Sequence, residues 1–337
     1  MSGYPLNAAI AGKEIWVAMK LTDADINIFV AQVLKLRPGK RQQYLKQVDF
    51  LITRLEAKIK DDESFRVIGF KKTGSLVKGT VLRPHGDYGV DADVAVFLNV
   101  SESEKADVDK LHEIIRKLAR AIYPQKQASD FEIQPRTLGI HFRDSELDVD
   151  LVPIVHISAQ PGYGWQLSSG QGEPVKTSVG GQLAFLKKRS DGDPAYRTLV
   201  RLAKKWRNNK ELESLRSFLI ELLLAHLQDV HGNAPSLEEG IQRFFLYVAQ
   251  SKLGKPIAFP ENGTVRQFPS DIVVVLDPVN SSNNVALRLT EAERSEIVKE
   301  AELAWERITT ASFCAGKGET IDHWKEILGR SFVIEEQ

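Results

Sequence analysis

Gly74-Ser75-Leu76-Val77-Lys78-Gly79-Thr80 is followed, after a polar loop, by Asp91-Ala92-Asp93-Val94-Ala95-Val96-Phe97-Leu98. The first is a glycine-bounded turn able to start a short helix, and the second is a strand. Residues two apart in a strand project to the same face. Asp91 and Asp93 therefore lie side by side, while Ala92 and Val94 turn into the core. Adjacent carboxylates repel, and hard oxygen ligands of this kind suit Mg²⁺. A glycine lets backbone approach a phosphate, and a serine hydroxyl with nearby N–H groups can cradle its oxygens.

Working outward, Phe65 to Phe70 reads as a strand before the turn, and Arg83 to Gly89 as a loop after it. Leu147-Asp148-Val149-Asp150-Leu151-Val152-Pro153 reads as a further strand whose two aspartates also share a face. Either could sit beside the first pair, and together they would frame a site for two metals about 3.5–4 Å apart. Spacing alone does not choose between Asp148 and Asp150. Thr137 to Phe142 is another strand. Helices are expected from Asp23, with Asp23 or Asp25 as N-cap, then over a segment with Tyr44, Val48, Leu51, Ile52, Leu55 and Ile59 on one face, and over 108–122. Residues 1–22 lack clear periodicity and read as an arm. Alternating helices and strands over about 60–160 argue for a mixed domain.

Beyond Gly162 a Gly- and Ser-rich loop with short strands leads into helical periodicity at about 183–190, 194–209, 215–231, 236–250 and 290–312. Arg197, Arg201 and Lys205 recur four apart in this lobe, with Lys204 one step around. A solvated basic face is the ordinary reading. The functional one has Lys204 and Ser217 reaching across a cleft to a triphosphate, where a mobile point charge serves well.

Composition narrows the classes. The 337 residues suit about two domains, and 42% hydrophobic content excludes a disordered chain. The 45 basic and 45 acidic residues cancel, so no global attraction to nucleic acid or membrane is expected. The single cysteine, Cys314, excludes an intrachain disulfide and a cysteine-based zinc cluster, and reads as a small core residue. No signal peptide, membrane-length apolar run, P-loop or zinc-helix motif is visible, and the reading is cytoplasmic.

Gly74-Ser75, Asp91-x-Asp93 and the later Asp150 in Val149-Asp150-Leu151-Val152-Pro153 together resemble the polymerase-β-like nucleotidyltransferases. Arg201 to Trp206, Ser217 to Leu223 and Leu276-Asp277-Pro278-Val279-Asn280-Ser281-Ser282-Asn283-Asn284-Val285 are similar to the oligoadenylate-synthetase and cGAS/DncV-like branch. Within it the chain most resembles the CD-NTases of bacterial CBASS anti-phage systems, in the clades encoded with HORMA-domain and TRIP13-like proteins. The resemblance runs from about residue 25 to the C-terminus.

It implies an α+β fold: a nucleotidyltransferase core with a mixed sheet and N-terminal helices over 23–162, and a mainly helical C-terminal lobe over 163–337 closing the cleft. It places two Mg²⁺ ions, with Mn²⁺ as a substitute, on Asp91, Asp93 and Asp150, and nucleotide contacts on Gly74, Ser75, Lys204 and Ser217. Asp150 matches the hydrophobic-Asp-hydrophobic-Val-Pro context better than Asp148. The implied activity is synthesis of a cyclic oligonucleotide, an adenosine-rich trinucleotide, from ATP and other NTPs with release of pyrophosphate. The implied partners are a HORMA-domain activator, a TRIP13-like ATPase and a product-sensing effector, with double-stranded DNA as activator left open and no membrane. The long Arg83–Val90 loop departs from the family pattern, and the zinc-ribbon insertion of animal cGAS is absent. The rival readings are a linear oligoadenylate or RNA-tailing enzyme and an inactive signalling scaffold.

Overall fold

The computed structural model describes residues 21–61, 66–84, 89–100, 108–166, 174–264 and 267–334. Residues 1–20 of the arm expected over 1–22, Phe65, His85 to Tyr88 of the polar loop and residues 167–173 of the Gly/Ser-rich stretch lie outside the described residues.

The first lobe is built on one mixed sheet. Its strands are β1 (Val67–Thr73), β2 (Val90–Leu98), β3 (Phe131–Ile133), β4 (Leu138–Phe142), β5 (Leu147–His156), β6 (Gly164–Gln166) and β7 (Val175–Thr177). The order is β1-β2-β5-β4-β3, with β6 pairing the far end of β5 and β7 pairing β6. Only β2 and β5 run parallel among these pairs. A parallel pair needs a crossover rather than a hairpin. The chain makes it through a helix over Val108–Ile122 and the β3–β4 hairpin.

Alternation decides which face is core. Val90, Ala92 and Val94 of β2 and Leu147, Val149 and Leu151 of β5 turn to one side. There they pack with Tyr44, Val48, Leu51 and Leu55 of the helix over Lys40–Asp61, and with Leu111, Ile115 and Leu118 of the crossover helix. Farther along, Ala95, Val152 and Ile154 are buried on the opposite face against Val179. Only the first halves of β2 and β5 therefore keep an uncovered face, which is where the aspartates stand.

Helices are numbered in chain order: α1 (Asp23–Phe29), α2 (Lys40–Asp61), α3 (Gly74–Lys78) and α4 (Val108–Ile122). The second lobe adds α5 (Val179–Gly192), α6 (Tyr196–Asn209), α7 (Ser217–His231), α8 (Leu237–Ser251), α9 (Glu291–Ala311) and α10 (Lys317–Leu328). A separate core gathers Trp206, Phe244, Phe245 and Trp324 from three of these helices. Ile26 and Phe29 of α1, and Val30 and Leu34 of the π-helical turn that follows, belong to that core. The chain thus crosses from the helical lobe to the sheet at α2.

One expectation needs correction. The N-cap of α1 is Thr22 rather than Asp23 or Asp25. Its hydroxyl accepts from the Asp25 N–H while the Asp25 carboxylate accepts from the Thr22 N–H, satisfying two end donors at once. The structure also adds a helix not picked out in the sequence, α10, whose apolar period rests on Ile321, Trp324, Ile327 and Leu328. Gly316 and Gly318 at its start mask that period in the sequence.

Candidate active site

The parallel register of β2 and β5 aligns Asp91 with Asp148 and Asp93 with Asp150. Four carboxylates thus occupy one face in two rows. Burial, then the charges of Asp93 and Asp148, pushes Asp91 up to about 6. Burial, then Asp93, Asp91 and Asp148, pushes Asp150 up to about 7. Asp93 is also raised by burial, although Lys78 and Lys204 oppose it. Carboxylates set this close oppose one another's ionisation, and a cation would relieve that repulsion.

The two outer candidates are not equivalent. Asp148 Oδ1 lies 2.7 Å from His141 Nδ1 on the neighbouring β4. Asp150 Oδ1 has only a long 3.5 Å contact from the Thr137 hydroxyl. Gly139, opposite Asp150 on β4, leaves room beside it, since a β-carbon there would lie 3.4 Å from Asp150 Oδ1. Asp148 is engaged by His141, whereas Asp150 has no comparably short side-chain contact among the described residues.

Gly74 closes β1 and opens α3 with φ +74°. A β-carbon at this position would fall 1.7 Å from Asp93 Oδ2. The glycine is required twice, for its left-handed backbone and for the space that Asp93 fills. Ser75 follows in the first turn of α3, half-buried beside the same carboxylate row.

The basic helix is α6: Arg197 is exposed, but Arg201 and Lys204 are buried and do not form a solvated face. Arg201 is buried and donates to the carbonyls of Gly79 and Val81. Lys204 is 3% exposed and its ammonium lies 3.8 Å from Glu221 Oε1. It also donates to the Thr80 hydroxyl at 3.3 Å. The other Glu221 oxygen accepts from Lys78 at 2.6 Å. Burial pushes Lys204 down to about 8, against the pull of Glu221. Ser217, the first residue of α7, accepts from Arg207 at 3.1 Å. The exit of α3 in one lobe is thereby fastened to α6 and α7 of the other, with Lys78 and Lys204 both acting on Asp93.

The comparisons with known proteins accord with this geometry. No protein-family model matches the chain. It is 43% identical over 318 residues to the CBASS oligonucleotide cyclase CdnC of Escherichia coli strain KTE188, covering 94% of this chain and 99% of the relative. The chain belongs to the CBASS oligonucleotide cyclases. It is 30% identical over 311 residues to the cyclic AMP-AMP-AMP synthase of E. coli strain MS 115-1, covering 90% of this chain and 95% of that one. The solved structure of E. coli MS115-1 CdnC with ATP superposes with a TM-score of 0.83 at 30% identity, covering 93% and 99%. The CdnC:HORMA-deltaN complex gives 0.81 at the same identity, covering 93% and 98%. The bilobal α+β nucleotidyltransferase fold is that of the family, and no helix among the described residues is long and apolar enough to cross a membrane.

The cyclase segment Asp277 to Asn284 has a structural explanation. It forms a hairpin of β8 (Leu276–Asp277) and β9 (Asn280–Asn284). The fully buried Asp277 accepts from Gln182 of α5 at 2.8 Å and from the Val279 N–H at 3.1 Å. Asn280 donates to the Lys176 carbonyl of β7. The Asn284 side chain bonds the backbone of Val273, Val275 and Ala286. These polar residues pin the hairpin to the elements joining the lobes.

Several cleft residues of the cyclase escape a reading of sequence alone. Glu221 breaks an otherwise apolar run, and that interruption is the signal of a buried counter-ion. Thr80 and Lys78 flank Gly79 without any pattern of their own. Arg136, beside Thr137, is pushed below its usual range by burial and then by Arg288 and Arg216. Its Nε is buried and has no hydrogen-bond partner among the described residues. Arg216 at the start of α7 and Arg288 after β9 are thus each within electrostatic reach of Arg136 in the β3–β4 hairpin.

Proposed function

We propose that the chain makes a cyclic oligonucleotide second messenger in anti-phage defence, an adenosine-rich trinucleotide, from ATP and other NTPs with release of pyrophosphate. The observation that carries this is the paired register of Asp91, Asp93 and Asp150 on the uncovered halves of two parallel strands. The donor set fits hard divalent cations: carboxylate oxygens only, with too much negative charge for the face to hold alone. Asp91, Asp93 and Asp150 would hold two Mg²⁺ ions, or Mn²⁺ in their place. When bound, such ions neutralise phosphate charge and favour the ionised form of an acceptor hydroxyl.

The rest follows from the chain's own side chains. Gly74 keeps Asp93 in line with Asp91, and Ser75 with the α3 backbone would receive a phosphate oxygen. Lys204 and Lys78 would turn from Glu221 toward a triphosphate, and Ser217 would meet it from α7. Arg136, with Arg216 and Arg288 in its electrostatic reach, would hold the phosphates of the acceptor nucleotide or linear intermediate. A ribose hydroxyl of the acceptor then attacks the α-phosphorus in line, with no covalent enzyme intermediate. Repetition and ring closure give the cyclic product.

The AMP-only product named for the 30% identical relative supports the adenosine-rich reading. The HORMA complex of the same fold at that identity supports a HORMA-domain activator. The proposed location is cytoplasmic, where these substrates are. The site assignment is tested by comparing Asp150→Ala with Asp148→Ala. The first should abolish NTP consumption while the second leaves measurable turnover, and the reverse order would move the metal row to Asp148.

A further inference from the structure

The helical lobe carries a second cluster of metal-binding side chains, remote in chemistry from the carboxylate cleft. Cys314 lies in the turn between α9 and α10, and Glu319 and His323 stand one turn apart on α10. Among the described residues they form the one group of three His, Cys, Asp or Glu side chains whose ligand atoms all lie within 4.8 Å of one another. The aspartates of the cleft do not converge in this way, as befits a set spread over two ions. We propose that Cys314, Glu319 and His323 form a binding site for a single thiophilic divalent ion of the zinc class.

Four observations support it. Positions i and i+4 of a helix share a face, so Glu319 and His323 present an oxygen and a nitrogen to the same point. Nδ1 of His323 is buried and lacks a hydrogen-bond partner among the described residues. A buried imidazole nitrogen left unpaired costs stability unless something binds it. Cys314 is 6% exposed; its thiol lies 3.5 Å from the Thr310 carbonyl, a weak contact that an ion would readily displace, and is within hydrogen-bonding reach of the Glu319 and Thr320 side chains. Glu319 is exposed, which gives the ion a path in from solvent.

The ligand set decides the metal. One sulfur, one nitrogen and one oxygen suit Zn²⁺, which takes four neighbours and tolerates water as the fourth. Tetrahedral ligands at bond lengths of about 2.0–2.3 Å stand about 3.3–3.8 Å apart. Small side-chain rotations therefore close the present group onto an ion. Mg²⁺ prefers oxygen ligands and keeps its water, so it belongs to the aspartates and not here. Binding displaces the thiol proton to solvent and leaves Sγ bonded to the ion as thiolate. The ion then clasps the end of α9 to the first turns of α10. It fixes the turn that presents Phe313, whose ring is 80% exposed.

The test is cobalt titration of the full chain, followed by displacement with zinc. The thiolate-to-cobalt charge-transfer absorption should appear with one equivalent and disappear on adding zinc. Zinc should also raise the melting temperature of the unmodified chain. His323→Ala and Glu319→Gln, which keep the thiol, should each weaken binding by at least about ten-fold, roughly 1.4 kcal/mol. Asp91→Asn with Asp93→Asn should leave the absorption unchanged, which separates this site from the cleft. Absence of a thiolate band in the folded chain would overturn the proposal. So would a band that His323→Ala and Glu319→Gln leave intact, since that would show an adventitious thiol.

Discussion

Gly74 and Asp93 occupy the same space in turn: where a β-carbon on Gly74 would project, the Asp93 carboxylate already stands, 1.7 Å away. A motif of two glycine-serine residues and a motif of two aspartates are thus one object. The turn after β1 exists in this form because the strand beside it carries a carboxylate at Asp93, aligned with Thr73 across the β1–β2 pair.

Gly74→Ala should therefore damage the site beyond its backbone cost. A non-glycine residue in the left-handed region costs about 1–3 kcal/mol, and the methyl would also drive Asp93 out of its row. Nucleotide transfer should fall at least 100-fold, while circular dichroism still reports a folded chain. Activity within about three-fold of the unmodified chain would show that Asp93 can move without consequence.

The carboxylate row makes the metal-free chain sensitive to pH. Asp91 and Asp150 are pushed up to about 6 and about 7 when folded, whereas an unfolded aspartate titrates near about 3.9. The folded chain binds more protons in between, so stability falls as pH rises from about 4 to about 7. The row titrates as a set, and the window belongs to the set. Asp150→Asn should melt above the unmodified chain at pH 8 in chelator and match it near pH 4. Mg²⁺ should raise the melting temperature of the unmodified chain and not of the variant. Differential scanning calorimetry across that range checks all three outcomes.

Lys204 and Lys205 should part company. Lys204 is buried against Glu221 and acts on Asp93, whereas Lys205 is half-buried one step around α6. A charge-assisted contact to phosphate is worth about 1.5–3 kcal/mol. Lys204→Ala should weaken binding of a nonhydrolysable ATP analogue by about 10- to 150-fold, and Lys205→Ala by less than about three-fold. Isothermal calorimetry with Mg²⁺ present reads both. Equal small losses would return α6 to a purely structural role.

Glu221→Gln tests the same cluster through folding. It removes the shared carboxylate of Lys78 and Lys204 and leaves a buried ammonium unpaired. Breaking one side of a buried pair costs about 3–5 kcal/mol. Urea denaturation should show a loss of that order, and a loss below about 1 kcal/mol would mean that water reaches the cluster.

Arg136→Ala is expected to raise the KM for substrate several-fold more than it lowers kcat, because a phosphate-holding arginine outside the metal row contributes to binding. Steady-state kinetics with ATP separates the two. A loss confined to kcat would place Arg136 at the reacting phosphate instead.

The legibility of the sequence followed the physics of each element. Strand alternation exposed Asp91 and Asp93, and the apolar faces of α2 and α4 were visible because each meets the sheet along a single stripe. The choice between Asp148 and Asp150 was open, since it depends on His141 of a neighbouring strand occupying one of them. The basic face of α6 read as solvated because charge pattern does not reveal a covering loop. Gly79 to Val81 covers Arg201 and Lys204, and only the folded chain brings them together. The acids Asp23 and Asp25 mask Thr22 as a cap in the sequence, although its hydroxyl and Asp25 form the reciprocal pair.

The most direct test of the central claim is the product itself. The purified chain is incubated with all four NTPs and Mg²⁺, with a HORMA-domain partner added in a parallel reaction. The products are treated with phosphatase and analysed by mass spectrometry, beside Asp91→Asn with Asp93→Asn as control. A phosphatase-resistant cyclic oligonucleotide of mainly adenosine units, absent from the control, is the predicted result. A phosphatase-sensitive ladder of linear oligomers, or no product in either reaction, would contradict it.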